Sequence, residues 1–187
     1  MRKIFLFILL SILLIGCGPK EDPDVKDDKE NISQVEDSNN DNNKTDETEK
    51  EASGYFFEYN GTSIYMNTDV VPVIEALGEA RDYFEAESCA FKGLDKVYSY
   101  PGIEISTYPM DGKDYISSLD LADDTVSTPE GIYLGSTVDD VIAAYGEDYQ
   151  ESLGSYTYTK DDSKLQFITM DGEVIGITYF AIVEGLE

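Results

Sequence analysis

Between Ser63 and Gly78 the apolar positions pass from strand-like to helical spacing. Ser63-Ile64-Tyr65-Met66 predicts a strand, and Val70, Val73, Ile74 and Leu77 then recur at i, i+3, i+4 and i+7, the buried stripe of a short helix. The same switch occurs again, without a gap, from Ile132 to Gly146. Identities fall at Ile64/Ile132, Tyr65/Tyr133, Val70/Val138, Val73/Val141, Ile74/Ile142, Ala76/Ala144 and Gly78/Gly146. Ser136 is the expected N-cap of the second helix, with Asp139 as its capping-box partner, and Thr68 or Asp69 caps the first. Gly78 and Gly146 are the expected helix stops.

Downstream the match continues at shorter spacing. Tyr98-Ser99-Tyr100 corresponds to Tyr156-Thr157-Tyr158, and Met110-Asp111-Gly112 to Met170-Asp171-Gly172. Each Asp-Gly lies between alternating segments and predicts a hairpin, because both residues tolerate the positive φ of the tight turns that join antiparallel strands. Ser88 to Phe91 supplies a possible extra strand. The pattern therefore predicts an α+β chain built as a tandem repeat, each unit a short helix plus a three- or four-stranded antiparallel sheet, over residues 54–127 and 128–187. Each half alone is near the size at which a core becomes marginal, so the two are expected to share an interface and to unfold together.

The chain before residue 54 is of another kind. Met1-Arg2-Lys3 is basic and Ile4 to Ile15 is apolar apart from Ser11. Those twelve residues span only ~18 Å as a helix, too short for a bilayer core, which predicts a signal peptide over residues 1–16. Leu14-Ile15-Gly16-Cys17 resembles the bacterial lipobox. That resemblance implies cleavage before Cys17 and acylation of its thiol, so that a lipid bilayer is the first partner and the chain sits on the extracytoplasmic face of the cell membrane. Residues 18–53 hold thirteen acidic and five basic side chains and no aromatic residue. Such a stretch cannot bury enough surface to offset its ordering entropy, and residues 17–53 read as a lipidated cysteine with a disordered acidic tether. As a coil its ends lie roughly 30–36 Å apart.

Charge narrows the partners. The whole chain carries a net charge of −26, and residues 54–187 contain 26 acidic against six basic side chains, which argues against nucleic acid or an anionic lipid surface as a ligand. With Cys17 acylated, Cys89 has no disulfide partner and is expected to be a buried small hydrophobe or part of a strand. The chain has no histidine, which removes the commonest general base and most transition-metal sites. No phosphate-binding glycine loop or CxxC pair occurs. The pairs Asp123-Asp124, Asp139-Asp140 and Asp161-Asp162 read as acidic turns and helix starts rather than as catalytic or calcium-binding pairs. No catalytic residue, metal site or cofactor is therefore expected, and the chain is not expected to be an enzyme.

Tyrosine is the positive signal, fourteen residues with no tryptophan. Tyr98 and Tyr100 share one face of a strand, as do Tyr156 and Tyr158. Two readings stand open: exposed aromatic stripes that form a binding surface, or half-buried strand residues of the core. Asp111 and Asp171 at the hairpin tips form the second candidate contact region.

The run I-x-L-G-S-T-x-x-D-V-x-x-x-Y-G within a doubled helix-plus-sheet unit resembles the β-lactamase-inhibitor-protein fold and, for a single unit, the small lipoprotein family of the outer-membrane assembly machinery. It looks closer still to Gram-positive lipoproteins that carry this repeat. The resemblance implies a non-catalytic module that binds an extracytoplasmic protein or a cell-envelope component. The alternative is an inhibitor or accessory factor of a secreted enzyme such as a β-lactamase or peptidase.

Overall fold

Alternating segments separated by two-residue turns fold back on themselves, and the computed structural model, which describes residues 52–183, shows where those returns lead. The leader, Cys17 and the tether as far as residue 51 lie outside the described residues. Asp111-Gly112 and Asp171-Gly172 both turn as expected, with φ of 52° and 79° in the first and 54° and 86° in the second. Positive φ at both central residues gives the turn a twist that matches its flanking strands.

In chain order the described elements are β1 (Phe56–Tyr59), β2 (Thr62–Tyr65), α1 (Val70–Leu77), β3 (Asp82–Glu87), β4 (Leu94–Tyr100), β5 (Ile103–Met110) and β6 (Lys113–Leu121). There follow α2 (Val138–Tyr145), β7 (Gln150–Ser152), β8 (Ser155–Lys160), β9 (Ser163–Met170) and β10 (Glu173–Ala181). β1 and β2 form a separate hairpin, and the other eight strands form one antiparallel sheet in the order β3-β4-β5-β6-β10-β9-β8-β7.

This overturns the expected fold class. The chain is not an α+β tandem of helix-plus-sheet units. Among the described residues it is mostly β, with two eight-residue helices against one continuous eight-stranded sheet, and the described parts of 54–127 and 128–187 carry no separate sheets of their own. The reason lies in backbone satisfaction. β6 and β10 are each paired on one side by a hairpin neighbour, which leaves the other edge with unpaired N–H and C=O groups. They meet each other through Thr178↔Asp120, Tyr179↔Leu119 and Phe180↔Ser118. Beyond that short contact the chain leading into each helix continues the ladder. Asp69 bridges to Tyr115 on β6, and Thr137 bridges to Glu173 on β10.

One face of the sheet is the core. Ile103, Ile105, Ile116 and Leu119 from one half and Leu165, Phe167, Ile177 and Tyr179 from the other are buried together. They are covered by Phe57, Ile64 and Met66 of the β1–β2 segment, by Val70 and Val73 of α1 and by Val141 of α2. Asp69 caps α1, accepting from the Val71 amide at 3.0 Å. The capping box of α2 stands one residue later than expected: Thr137 and Asp140 reciprocate, not Ser136 and Asp139. Ser136 is already engaged, its hydroxyl accepting from the Tyr133 amide and its carbonyl from the Val174 amide. The extra strand of the first half is β3, and Ser88 to Phe91 belongs to the loop that follows it.

Candidate functional site

Side chains alternate across a sheet, so residues between the core positions must emerge on the opposite face. That face carries a polar row through the middle of the sheet. Cross-strand registers join Ser99 on β4 to Glu104 on β5, Glu104 to Asp120 on β6, and Asp120 to Thr178 on β10. They continue from Thr178 to Gln166 on β9 and from Gln166 to Thr157 on β8. Asp82 and Gln150 extend the row onto the two edge strands. The six inner residues are half-buried, walled by neighbouring strands but not part of the core cluster.

Hydrogen bonds order the row. Ser99 Oγ donates to Glu104 Oε2 at 3.2 Å, Thr178 Oγ1 to Asp120 Oδ1 at 2.6 Å, and Gln166 Nε2 to Thr157 Oγ1 at 3.2 Å. Glu104 and Asp120 face each other directly across β5 and β6. Like charges in that relation repel. Desolvation pushes the Asp120 carboxyl above its ordinary range, the Thr178 hydroxyl works against that rise, and the Glu104 charge adds to it.

Towards one end of this face the loop after β3 folds over the sheet. Phe91 lies against Tyr108 with ring centroids 5.1 Å apart, and a shallow pocket of about 330 Å³ opens between Ala90, Phe91, Val97, Ser106 and Tyr108. Cys89 lies on this loop and is exposed, so it is neither buried nor part of a strand as expected. Towards the other end the face is apolar. Ile168, Met170 and Ile175 are 42%, 60% and 51% exposed, and Leu153 at the β7–β8 turn is fully exposed. The turn brings Leu153 to the end of β9, since the next residue, Gly154, accepts from the Thr169 amide at 2.8 Å.

The residues singled out in the sequence fall elsewhere. Tyr100 and Tyr158 are buried in the core, so neither is an exposed anchor. Each donates to the carbonyl of a helix-stopping glycine, Tyr100 to Gly78 at 3.0 Å and Tyr158 to Gly146 at 2.9 Å. Burial raises both phenol pKa values, that of Tyr158 to about 12. Tyr98 and Tyr156 are half-buried at the margin of the same covered face, and each packs on a second ring, Tyr83 and Tyr149 respectively. β4 and β8 are five strand spacings apart, roughly 24 Å, so the two Tyr pairs do not meet. Asp111 and Asp171 are exposed, but β6 and β10 run antiparallel, which sends the turns before them to opposite ends of the sheet.

Sequence reasoning missed the polar row. Its members are visible as polar positions within alternating strands, Glu104 between Ile103 and Ile105 and Asp120 between Leu119 and Leu121. What joins its two halves is the register between β6 and β10, strands far apart in the chain. Among the described residues no group of three or more acidic or cysteine side chains is placed to hold a metal ion, and no helix is long and apolar enough to cross a membrane. Neither a family model, nor a curated protein, nor a solved structure matches the chain.

Proposed function

We propose that the chain is a membrane-anchored, extracytoplasmic lipoprotein. In this reading its folded part binds a protein or cell-envelope component, without catalysis, through the face of the sheet opposite the helices. The anchor reading rests on the basic and apolar leader that ends in Leu14-Ile15-Gly16-Cys17. The binding reading rests on one observation: both helices and the β1–β2 hairpin cover a single face of the sheet, while an ordered polar row crosses the other. A row of half-buried hydroxyl, amide and carboxylate groups beside an apolar margin has the composition of a binding face, with polar groups that fix register and apolar area that supplies affinity.

The entry of the chain suits a tether. Ser53 Oγ donates to Asp162 Oδ1 at 3.2 Å, the Gly54 amide to Asp161 Oδ2 at 3.1 Å and the Tyr55 amide to Ser163 Oγ at 2.7 Å. These contacts hold the start of the folded part at the β8–β9 turn, away from the polar row.

Two measurements on cells that express the chain test the reading. Cys17→Ala is expected to abolish incorporation of a palmitate analogue and to release the protein from the membrane fraction. A photo-crosslinking residue at Gln166 or Ser106 is expected to give discrete cross-linked species, and one at Glu147, beyond the end of α2, is expected to give none. Labelled, membrane-bound Cys17→Ala protein overturns the anchor reading. Cross-links from Glu147 alone overturn the face.

A further inference from the structure

The uncovered face also states what kind of partner fits it, an inference that rests on the binding reading above. Its centre is the Glu104–Asp120 pair, two carboxylates set opposite each other in adjacent strands and held by Ser99 and Thr178. Its flank is Ile168, Met170 and Ile175, with Leu153 at the rim. Asp120 and Ile168 are separated by two strand spacings and two residues along the strand, about 12 Å, a span that three or four extended residues bridge. Around both lies a domain with 26 acidic and six basic side chains, and the strand cations described on this face are Lys164 on β9 and, at the far end, Lys113 on β6, which lies 3.7 Å from Asp69.

We infer that Glu104 and Asp120 form the cation-accepting centre of this face, and that its partner is a protein segment presenting arginine or lysine next to apolar side chains. Charge complementarity decides among occupants. A second copy would set two such carboxylate pairs against each other, and an anionic lipid surface would meet the same repulsion. A guanidinium or ammonium group over the pair instead relieves the repulsion already present in the free protein and finds its oxygens pre-positioned by neighbouring hydroxyls. The apolar flank supplies the desolvated area that such a contact needs to hold.

The mature chain from residue 17, with Cys17→Ser in place of the acylated residue, tests this by fluorescence anisotropy against three labelled peptides. One alternates arginine with valine, one glutamate with valine and one arginine with serine. The arginine–valine peptide is expected to bind most tightly. The double variant E104Q/D120N is expected to weaken it at least tenfold, and E147Q/D148N, which removes the same charge beyond α2, less than twofold. I168S/M170S is expected to bring its affinity down to that of the arginine–serine peptide. Melting curves for each variant confirm that it is folded. Equal losses in the two charge variants show a non-specific charge effect and overturn the inference, as does no loss in either. Cross-links from Gln166 that persist unchanged in E104Q/D120N overturn this inference while leaving the binding reading intact. Absence of cross-links in the parent chain removes the binding reading itself.

Discussion

The two halves of the sheet, β3 to β6 and β10 to β7, are built alike at the centre and unlike at the edges. In each, the second tyrosine of a Tyr-x-Tyr run reaches back to the carbonyl of the glycine that stops the preceding helix. In each, the segment before the helix joins the ladder of its half's central strand. Outward they diverge. The first half ends in a six-residue strand and a loop folded onto the sheet, and it is pinned by a Lys96–Asp114 ion pair at 2.6 Å. The second ends in a three-residue strand, and its covered face holds an aromatic cluster in which the Tyr145, Tyr149 and Phe167 rings surround Tyr158. Shared elements thus fix the scaffold, while the edges set how much each half depends on packed rings.

That difference is open to direct attack. The largest effect is expected from Phe167→Ala, which removes a fully buried ring from the aromatic cluster and should cost ~3–5 kcal/mol in urea unfolding. Ile105→Ala, at the matching place beside Tyr98, removes less surface from a less aromatic setting and should cost about 2–4 kcal/mol. An equal or larger loss at Ile105 would show that the two halves do not differ in this way.

A smaller and symmetric effect is expected from the hydroxyls. Tyr100→Phe and Tyr158→Phe each delete one hydrogen bond to a helix-end carbonyl and keep the ring, so each should cost ~1 kcal/mol. Thermal melts that separate the two by more than about twofold would show that the helix ends are held differently.

The smallest effect distinguishes the centre from the caps by its sign with pH. The Asp120 carboxyl is raised by burial, so its contribution to stability is present below the ordinary carboxylate range and is lost as pH rises through the raised value. Asp140 is lowered by its bonds to Thr137, so its contribution is present above the ordinary range and is lost as pH falls through the lowered value. D120N should therefore flatten the decline in stability between acidic and neutral pH, and D140N should flatten the decline on the acid side. Parallel profiles for the two variants would break the contrast.

Local chemistry made part of this fold readable. The helix stripes, both glycine stops and both Asp-Gly turns follow from residues a few positions apart. The β1–β2 hairpin was also legible, since Asn60-Gly61 between Phe56 and Tyr65 is a strong short turn signal. The joining of β6 to β10 was not legible, because no turn connects them and nothing in either strand names the other. The aromatic stripes were placed on the right strands, yet period-two alternation does not say which face the helices cover. That face decided that Tyr100 and Tyr158 belong to the core and left Glu104 and Asp120 on the other side.

The central pairing also bears on the order in which the chain assembles. Thr178 and Asp120 are 58 residues apart, whereas every other adjacent pair in the large sheet is a hairpin of neighbouring strands. Closing so long a loop costs entropy before any contact rewards it, so the hairpins of each half are expected to form first and the β6–β10 seam to close last. Ser118, Asp120, Thr178 and Phe180 come together only at that closure, which makes the complete polar row a product of the final folding step and absent from a chain that has folded only halfway.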